Sequence, residues 1–374
     1  MKTFHPKYGW IHILTPEEKI DIENWMPSPE QAKHYFKELF SVDILITNKF
    51  GTGKLYEIEE VEGTIYCVCT ACTSVMAEFD SWAQSNDDRM TLVPAIADNI
   101  IVLSCQVTDL AILNDLRTLE WLQNSYPNKT FYVGGCLAKR FDVELPAGVR
   151  RLNNVVDQDN RIYYLSNSMV DYAKPFWVGE DKTAGTLFRE SRGIRIGAGC
   201  NKGCAYCTIK HTRGAHYELP VDGSLLSSIE PNLLISDSPT AKQISGWISE
   251  ALKKNVVLSI RNIEPQEAEE VWSDIKELDA QNLLDTFHCP VQSGSYAVLG
   301  SMKRNINSTC FILSNIHNLK AKKATNIIVD YPGYSNDWTD QVYKLFDYVS
   351  WNPYWDGKWD RALAERRWRR YFGA

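Results

Sequence analysis

Apolar runs of strand length alternate with longer stretches of helical period along most of this chain. Thr64–Cys69, Asn99–Leu103 and Thr130–Val133 are the first three such runs, and each reads as a strand. Between them, Val75–Gln84 and a longer stretch from Thr108 to about Gln123 read as helices. Strand–helix–strand–helix–strand predicts an open parallel sheet. A second series opens at Gly193–Gly197. It continues with strands at Asn232–Ile235, Val256–Ile260, Phe287–Val291, Thr325–Val329 and Tyr348–Trp351, with helices between them. About six strand–helix units predict a partial barrel rather than a closed eight-unit one. The predicted fold class is α/β, an N-terminal open parallel sheet followed by a partial (β/α)6 barrel.

The remaining stretches set the domain plan. Ser28-Pro29-Glu30 is a helix start with proline at the first helical position, and that helix would run to about Leu39. Val42–Thr47 follows as a strand. Gly51-Thr-Gly53-Lys54 fails as a phosphate loop, because Asn48 replaces its first glycine and Leu55 its Ser/Thr. Residues 137–188 show little regular pattern and read as a connection. The plan is an extension over 1–60 that is a candidate recognition unit, a sheet domain over 61–165 and a larger domain over 189–374.

A cysteine follows each of the first three strands: Cys72, Cys105 and Cys136. Neighbouring parallel strands end at one edge of their sheet, where such folds place ligands. Three cysteines distant in sequence therefore converge at one rim. Two readings fit: an iron-sulfur cluster with three protein ligands and one open iron, or three buried thiols. Cys67 and Cys69 lie inside the first strand and read as core.

The strand at Gly193–Gly197 feeds Cys200-Asn-Lys-Gly-Cys204-Ala-Tyr-Cys207. Three thiolates spaced Cys-x3-Cys-x2-Cys hold three irons of a [4Fe-4S] cube and leave the fourth open. In radical S-adenosylmethionine (SAM) enzymes that iron binds SAM, and an electron from the cluster splits SAM to a 5'-deoxyadenosyl radical. A zinc site would ask for a fourth Cys or His at regular spacing.

Charge and composition narrow the picture slightly. The net charge of −7 argues against a dedicated nucleic-acid binder, although a local basic patch would hide in that sum. No apolar run reaches membrane-spanning length and no signal core follows Met1, so a cytoplasmic protein with no membrane partner is expected. In that compartment the ten cysteines read as metal ligands and buried thiols rather than disulfides.

From about 64 to 350 the chain resembles the radical-SAM methylthiotransferase family. The segments that carry the resemblance are Cys72 with Asp80-Ser81, Val102–Cys105, Val133-Gly-Gly-Cys136-Leu-Ala-Lys-Arg140, Gly199–Cys207 with Thr212-Arg-Gly214, Pro290–Ser295 with Met302-Lys-Arg304, and Ile327–Gly333. In the last segment Asp330 stands where the family has glycine. Three departures stand out. Ala215–Leu219 replaces a basic stretch, about sixty residues precede the usual start, and Ala374 leaves no room for the C-terminal TRAM barrel.

The resemblance implies two [4Fe-4S] clusters. Cys200, Cys204 and Cys207 would hold the SAM-cleaving one, and Cys72, Cys105 and Cys136 a second that carries sulfur. SAM would serve as radical source and methyl donor, with electrons from a flavodoxin or ferredoxin. Tyr206 would pack against the adenine, and Asp237, Arg261 and Gln292 are candidate SAM contacts at strand ends. The expected activity is insertion of a methylthio group at an unactivated C–H bond. The missing TRAM barrel, the negative charge and the N-terminal extension favour a peptide or protein side chain as substrate. A tRNA methylthiotransferase, or a two-cluster enzyme that inserts no sulfur, are the alternatives. The basic, aromatic stretch Arg361–Phe372 reads as a helix closing the barrel with Leu363, Trp368 and Phe372 inward, in preference to a nucleic-acid grip.

Overall fold

The computed structural model describes residues 2–5, 9–12, 53–155, 161–164, 168, 171–172, 192–333 and 342–372. The helix expected from Ser28 and the strand expected at Val42–Thr47 lie outside them. Strands β1 (Lys2–His5) and β2 (Gly9–His12) pair as an antiparallel hairpin.

The first large sheet contains β3 (Ile65–Cys69), β4 (Asn99–Ser104) and β5 (Thr130–Gly135) as parallel neighbours. Helix α1 (Thr73–Ser85) follows β3 and α2 (Asp109–Ser125) follows β4. Alternate strand residues serve opposite faces. Ile65, Cys67, Cys69, Ile101 and Leu103 pack with Val75, Met76 and Phe79 of α1. Tyr66, Val68, Ile100, Val102 and Val133 pack with Ile112, Leu116 and Leu119 of α2. Burial on both faces explains why these strands are apolar throughout. Cys67 and Cys69 are core, as expected.

The connection expected to lack pattern contains three short strands, β6 (Arg150–Arg151), β7 (Ile162–Tyr164) and β8 (Asp171–Tyr172). β6 and β8 extend the first sheet to the order β6-β5-β4-β3-β8, all parallel. β7 instead joins the second sheet, antiparallel to β9 (Arg192–Arg195). Strands of two or three residues are too short to show a period, which is why the sequence hides them.

In the second sheet β9 is followed by β10 (Gly197–Ala198), α3 (Ile209–Thr212) and β11 (Tyr217–Glu218). Then come β12 (Asn232–Ile235), α4 (Ala241–Lys254), β13 (Leu258–Ile260), α5 (Pro265–Glu270), α6 (Trp272–Ala280) and β14 (Leu284–His288). The series closes with α7 (Tyr296–Ser301), α8 (Ile306–Asn315), β15 (Lys322–Val329), β16 (Tyr348–Pro353) and α9 (Arg361–Phe372). The order is β16-β15-β14-β13-β12-β9-β7, so β9 and β12–β16 are parallel and sequential neighbours. Six strands were expected in this series and six are present, the fourth at Leu284–His288 rather than Phe287–Val291. Trp247 of α4 is fully buried within the second sheet's core.

Helix α1 is wedged between the two sheets. Ala77 on it packs with Leu233, Ile235 and Ala324 of the second sheet, while Val75 and Phe79 face the first. Helix α9 lies on α2, with Ala364 and Trp368 against Leu110 and Leu113. Leu363 was expected inward, but Ala364 takes that place and Leu363 is 40% exposed. Among the described residues no helix is long and apolar enough to cross a membrane.

Candidate active site

The parallel sheet delivers three cysteines to one rim. Cys72 is the N-cap of α1, Cys105 directly follows β4 and Cys136 directly follows β5. Each lies within electrostatic reach of another. Burial first, then Cys136 and Cys72, pushes the Cys105 thiol well above its usual range. Burial pushes Cys136 up to about 12, with Arg213 and the Thr212 hydroxyl pulling the other way. Gly135 takes φ +76 just before Cys136, and a Cβ there would lie 2.5 Å from the Ser104 carbonyl oxygen. Only glycine fits that turn. Asp115 fixes the backbone of the middle cysteine: it accepts from the Cys105 amide at 2.8 Å and from the Thr70 hydroxyl at 2.5 Å, and burial raises its carboxyl to about 8.

The second trio sits on a loop closed by the β10–β11 ribbon. Gly199, at φ +76, has no room for a Cβ against the Ala215 carbonyl. Cys200 takes the Gly214 carbonyl with its amide at 3.2 Å, and its sulfur accepts from the Lys202 amide at 3.3 Å. Cys204 lies 3.9 Å from the Arg304 guanidinium, which also pairs with Glu264 at 2.6 Å. Burial raises the Cys204 and Cys207 thiols. A small open cleft beside the loop is lined by Lys202, Cys204, Glu264 and Arg304.

Among the described residues no three His, Cys, Asp or Glu side chains converge tightly enough to share one metal ion. A four-iron cube asks for something else, since each thiolate binds its own corner iron. Two trios of thiols on tight turns, free of disulfides, fit that donor set.

Two hydrogen-bonded bridges join the trios. In the first, Gln106, next to Cys105, donates to the Thr208 hydroxyl, next to Cys207. Fully buried Arg140 holds Gln106 from behind at 3.0 Å, grips Asp142 with two bonds and covers the Trp355 ring at 4.9 Å. In the second, Arg213 reaches both domains. It donates to both Glu78 oxygens at 2.6 Å and to Asp237 at 2.9 Å. These side chains are at most 7% exposed. Two carboxylates keep Arg213 protonated, whereas burial pushes Glu78 up against the pull of Arg213.

The expected SAM contacts are spread over strand ends. Asp237, past β12, commits Oδ2 to Arg213 and to the Gly199 amide at 2.9 Å. Arg261 directly follows β13 and stands near His288. Gln292 takes φ +66 and pairs by backbone with Asn326 and Ile328 of β15. Tyr206 packs by Val298, Met302 and Tyr331, with Arg304 donating to its hydroxyl at 3.2 Å. None of the four lines the cleft beside the loop. Sequence reasoning missed Glu78, Asp115 and Glu264. Arg213 and Arg304 lay inside the quoted Thr212-Arg-Gly214 and Met302-Lys-Arg304 segments but received no role.

Fold and site together define an α/β protein that places a radical-SAM-type cysteine loop against a second cysteine trio. No family model matches the chain. It is 26% identical over 297 residues to the tRNA-2-methylthio-N(6)-dimethylallyladenosine synthase of Nitrosomonas europaea, covering 68% of this chain and 66% of that one. The proteins of the same name from Pasteurella multocida and Histophilus somni are 26% and 27% identical, each over 71% of this chain and 63% of their own length. The chain thus spans just under two thirds of the length of these relatives. Over that span it is similar to proteins that carry a tRNA-methylthiolating name.

Proposed function

We propose that this protein is a radical-SAM methylthiotransferase that modifies an RNA base. The observation that carries this reading is the bond from Gln106 to Thr208, which ties the residue after one cluster cysteine to the residue after another. Hydrogen removal and sulfur delivery must reach one carbon, so two trios fixed rim to rim suit that chemistry. When bound, the clusters and SAM supply the substrate radical and the sulfur that it takes up.

The chain's own residues bind and orient. Cys200, Cys204 and Cys207 would hold the SAM-cleaving cluster, and Cys72, Cys105 and Cys136 the sulfur-bearing one. Arg304 lies beside Cys204 and lends it positive charge. Arg213 and Asp115 position Cys136 and Cys105. SAM would lie along the strand ends that carry Arg261 and Gln292, with Tyr206 of the cysteine loop against it. Asp237 would act there through Arg213 and the Gly199 amide. Electrons would come from a flavodoxin- or ferredoxin-type donor.

The peptide substrate favoured by sequence finds no support among the relatives. These relatives carry a tRNA-modifying name, and the RNA reading replaces it. Cys105→Ala tests the assignment. The variant should still cleave SAM under reductant, yet form no methylthiolated RNA. Thiolated product from that variant would refute the role given to the first trio.

A further inference from the structure

We propose that the outward face of α9, together with the adjoining turn of α2, grips the phosphate backbone of the RNA substrate. The inference rests on the RNA reading above. Helix α9 carries five arginines and one glutamate, in a chain whose net charge is −7. Its inward side is fixed: Trp368 and Ala364 are buried, Arg361 pairs with Glu120 at 2.7 Å, and Arg367 pairs with Asp109 at 2.8 Å. Arg366, Arg369 and Arg370 share the opposite face at i, i+3 and i+4 spacing, and all are exposed. Among the described residues Arg366 and Arg369 make no ion pair. Arg370 has a loose one to Asp330 at 3.6 Å.

A second element extends the patch. Arg117 of α2 is exposed with its guanidinium 5.0 Å from the Trp368 ring. One turn on, Trp121 is 62% exposed. Arginines beside an exposed indole suit a sugar–phosphate strand with an unstacked base. Location makes the patch useful. Arg367 anchors α9 to the first residue of α2, four positions past Cys105. Tyr371 donates to Asp330, directly past β15, at the strand-end edge of the second sheet, the edge from which the Cys200–Cys207 loop also leaves. Arg367 and Tyr371 thus tie α9 to the strand-end edges of both sheets, the edges from which the cysteine trios rise.

The test is binding of bulk tRNA by the reconstituted full chain across about 50 to 200 mM salt. Three neutralised contacts should lower the slope of log K against log[salt] by roughly 2 to 3 in R366Q/R369Q/R370Q. Affinity at the high-salt end should fall at least about tenfold. Iron content and uncoupled SAM cleavage should match the parent. R366K/R369K/R370K, which keeps the charge, should keep the slope, and W121A should weaken binding with the slope unchanged. Equal slopes for parent and glutamine variant, with methylthiolated RNA formed by both, would overturn this surface and leave the proposed activity standing. No salt-dependent RNA binding by the parent, with sulfur delivered to a peptide, would overturn both.

Discussion

Replacing Arg213 with glutamine removes the charge that bridges Glu78 on α1 and Asp237 past β12. Three short bonds disappear, at 2.6, 2.6 and 2.9 Å. Exposed ion pairs contribute about 0 to 1 kcal/mol, but Glu78 and Asp237 are 7% and 5% exposed. Removing one partner of a buried pair costs about 3 to 5 kcal/mol, because the other charge stays desolvated. With an m-value near 3 kcal/mol/M, the urea midpoint should fall by about 1 M or more. Burial already pushes the Glu78 carboxyl up, and without Arg213 it rises further. The variant's fold then binds a proton that its unfolded chain releases, so its deficit should shrink as pH falls toward the carboxylate range. E78Q/R213Q should be more stable than R213Q alone, since Asp237 is then the one carboxylate of the pair left buried without its cation. Tryptophan fluorescence during urea titration reads all three proteins. A midpoint for R213Q within about 0.2 M of the parent, the scale of an ordinary surface change, or a further drop on adding E78Q, would refute this role for Arg213.

Chemical analysis of the reconstituted protein should find about eight irons, two cubes of four. The triple variant C72A/C105A/C136A should keep about four and still cleave SAM. His288 gives a pH signature: burial, with Arg261 nearby, holds it down at about 3 against an ordinary 6.5. Between those values the unfolded chain binds a proton that the fold refuses. Its contribution is whole above pH 6.5 and is lost on acidification, by up to about 1.4 kcal/mol per pH unit. Denaturation from pH 6.5 to 4 should therefore show a shallower loss in H288N than in the parent. Asp330→Gly sets two effects against each other. It relieves a left-handed residue at φ +58, worth about 1 to 2 kcal/mol, and removes exposed contacts to Tyr371 and Arg370 worth about 0 to 1 each. Its melting point should stay put or rise slightly, whereas Tyr371→Phe should lower it slightly.

Both cysteine trios were legible because they depend on local spacing or on strand ends. Cys72, Cys105 and Cys136 each follow a parallel strand, and parallel strands end together. Glu78 was not legible. On a helix with one solvent face it would read as solvated, but α1 has a sheet on either side, so its polar positions must find partners inside the protein. Arg213 is that partner, 135 residues away. Leu363 was misplaced for a related reason. Helix α9 meets α2 through Ala364 and Trp368, and the small Ala364 lets the helices approach closely, which the apolar pattern does not record. Asp330 looked like a departure from a glycine. The structure gives it a left-handed backbone that aspartate tolerates and two partners on α9.

The most direct test of the central claim is mass spectrometry of nucleosides from tRNA incubated with the reconstituted protein, SAM and a reductant. The expected product is a nucleoside carrying a methylthio group in place of hydrogen, absent when any one of Cys72, Cys105, Cys136, Cys200, Cys204 or Cys207 is replaced by alanine. Cleavage of SAM with unmodified tRNA, or the same nucleoside formed by Cys105→Ala, would contradict it.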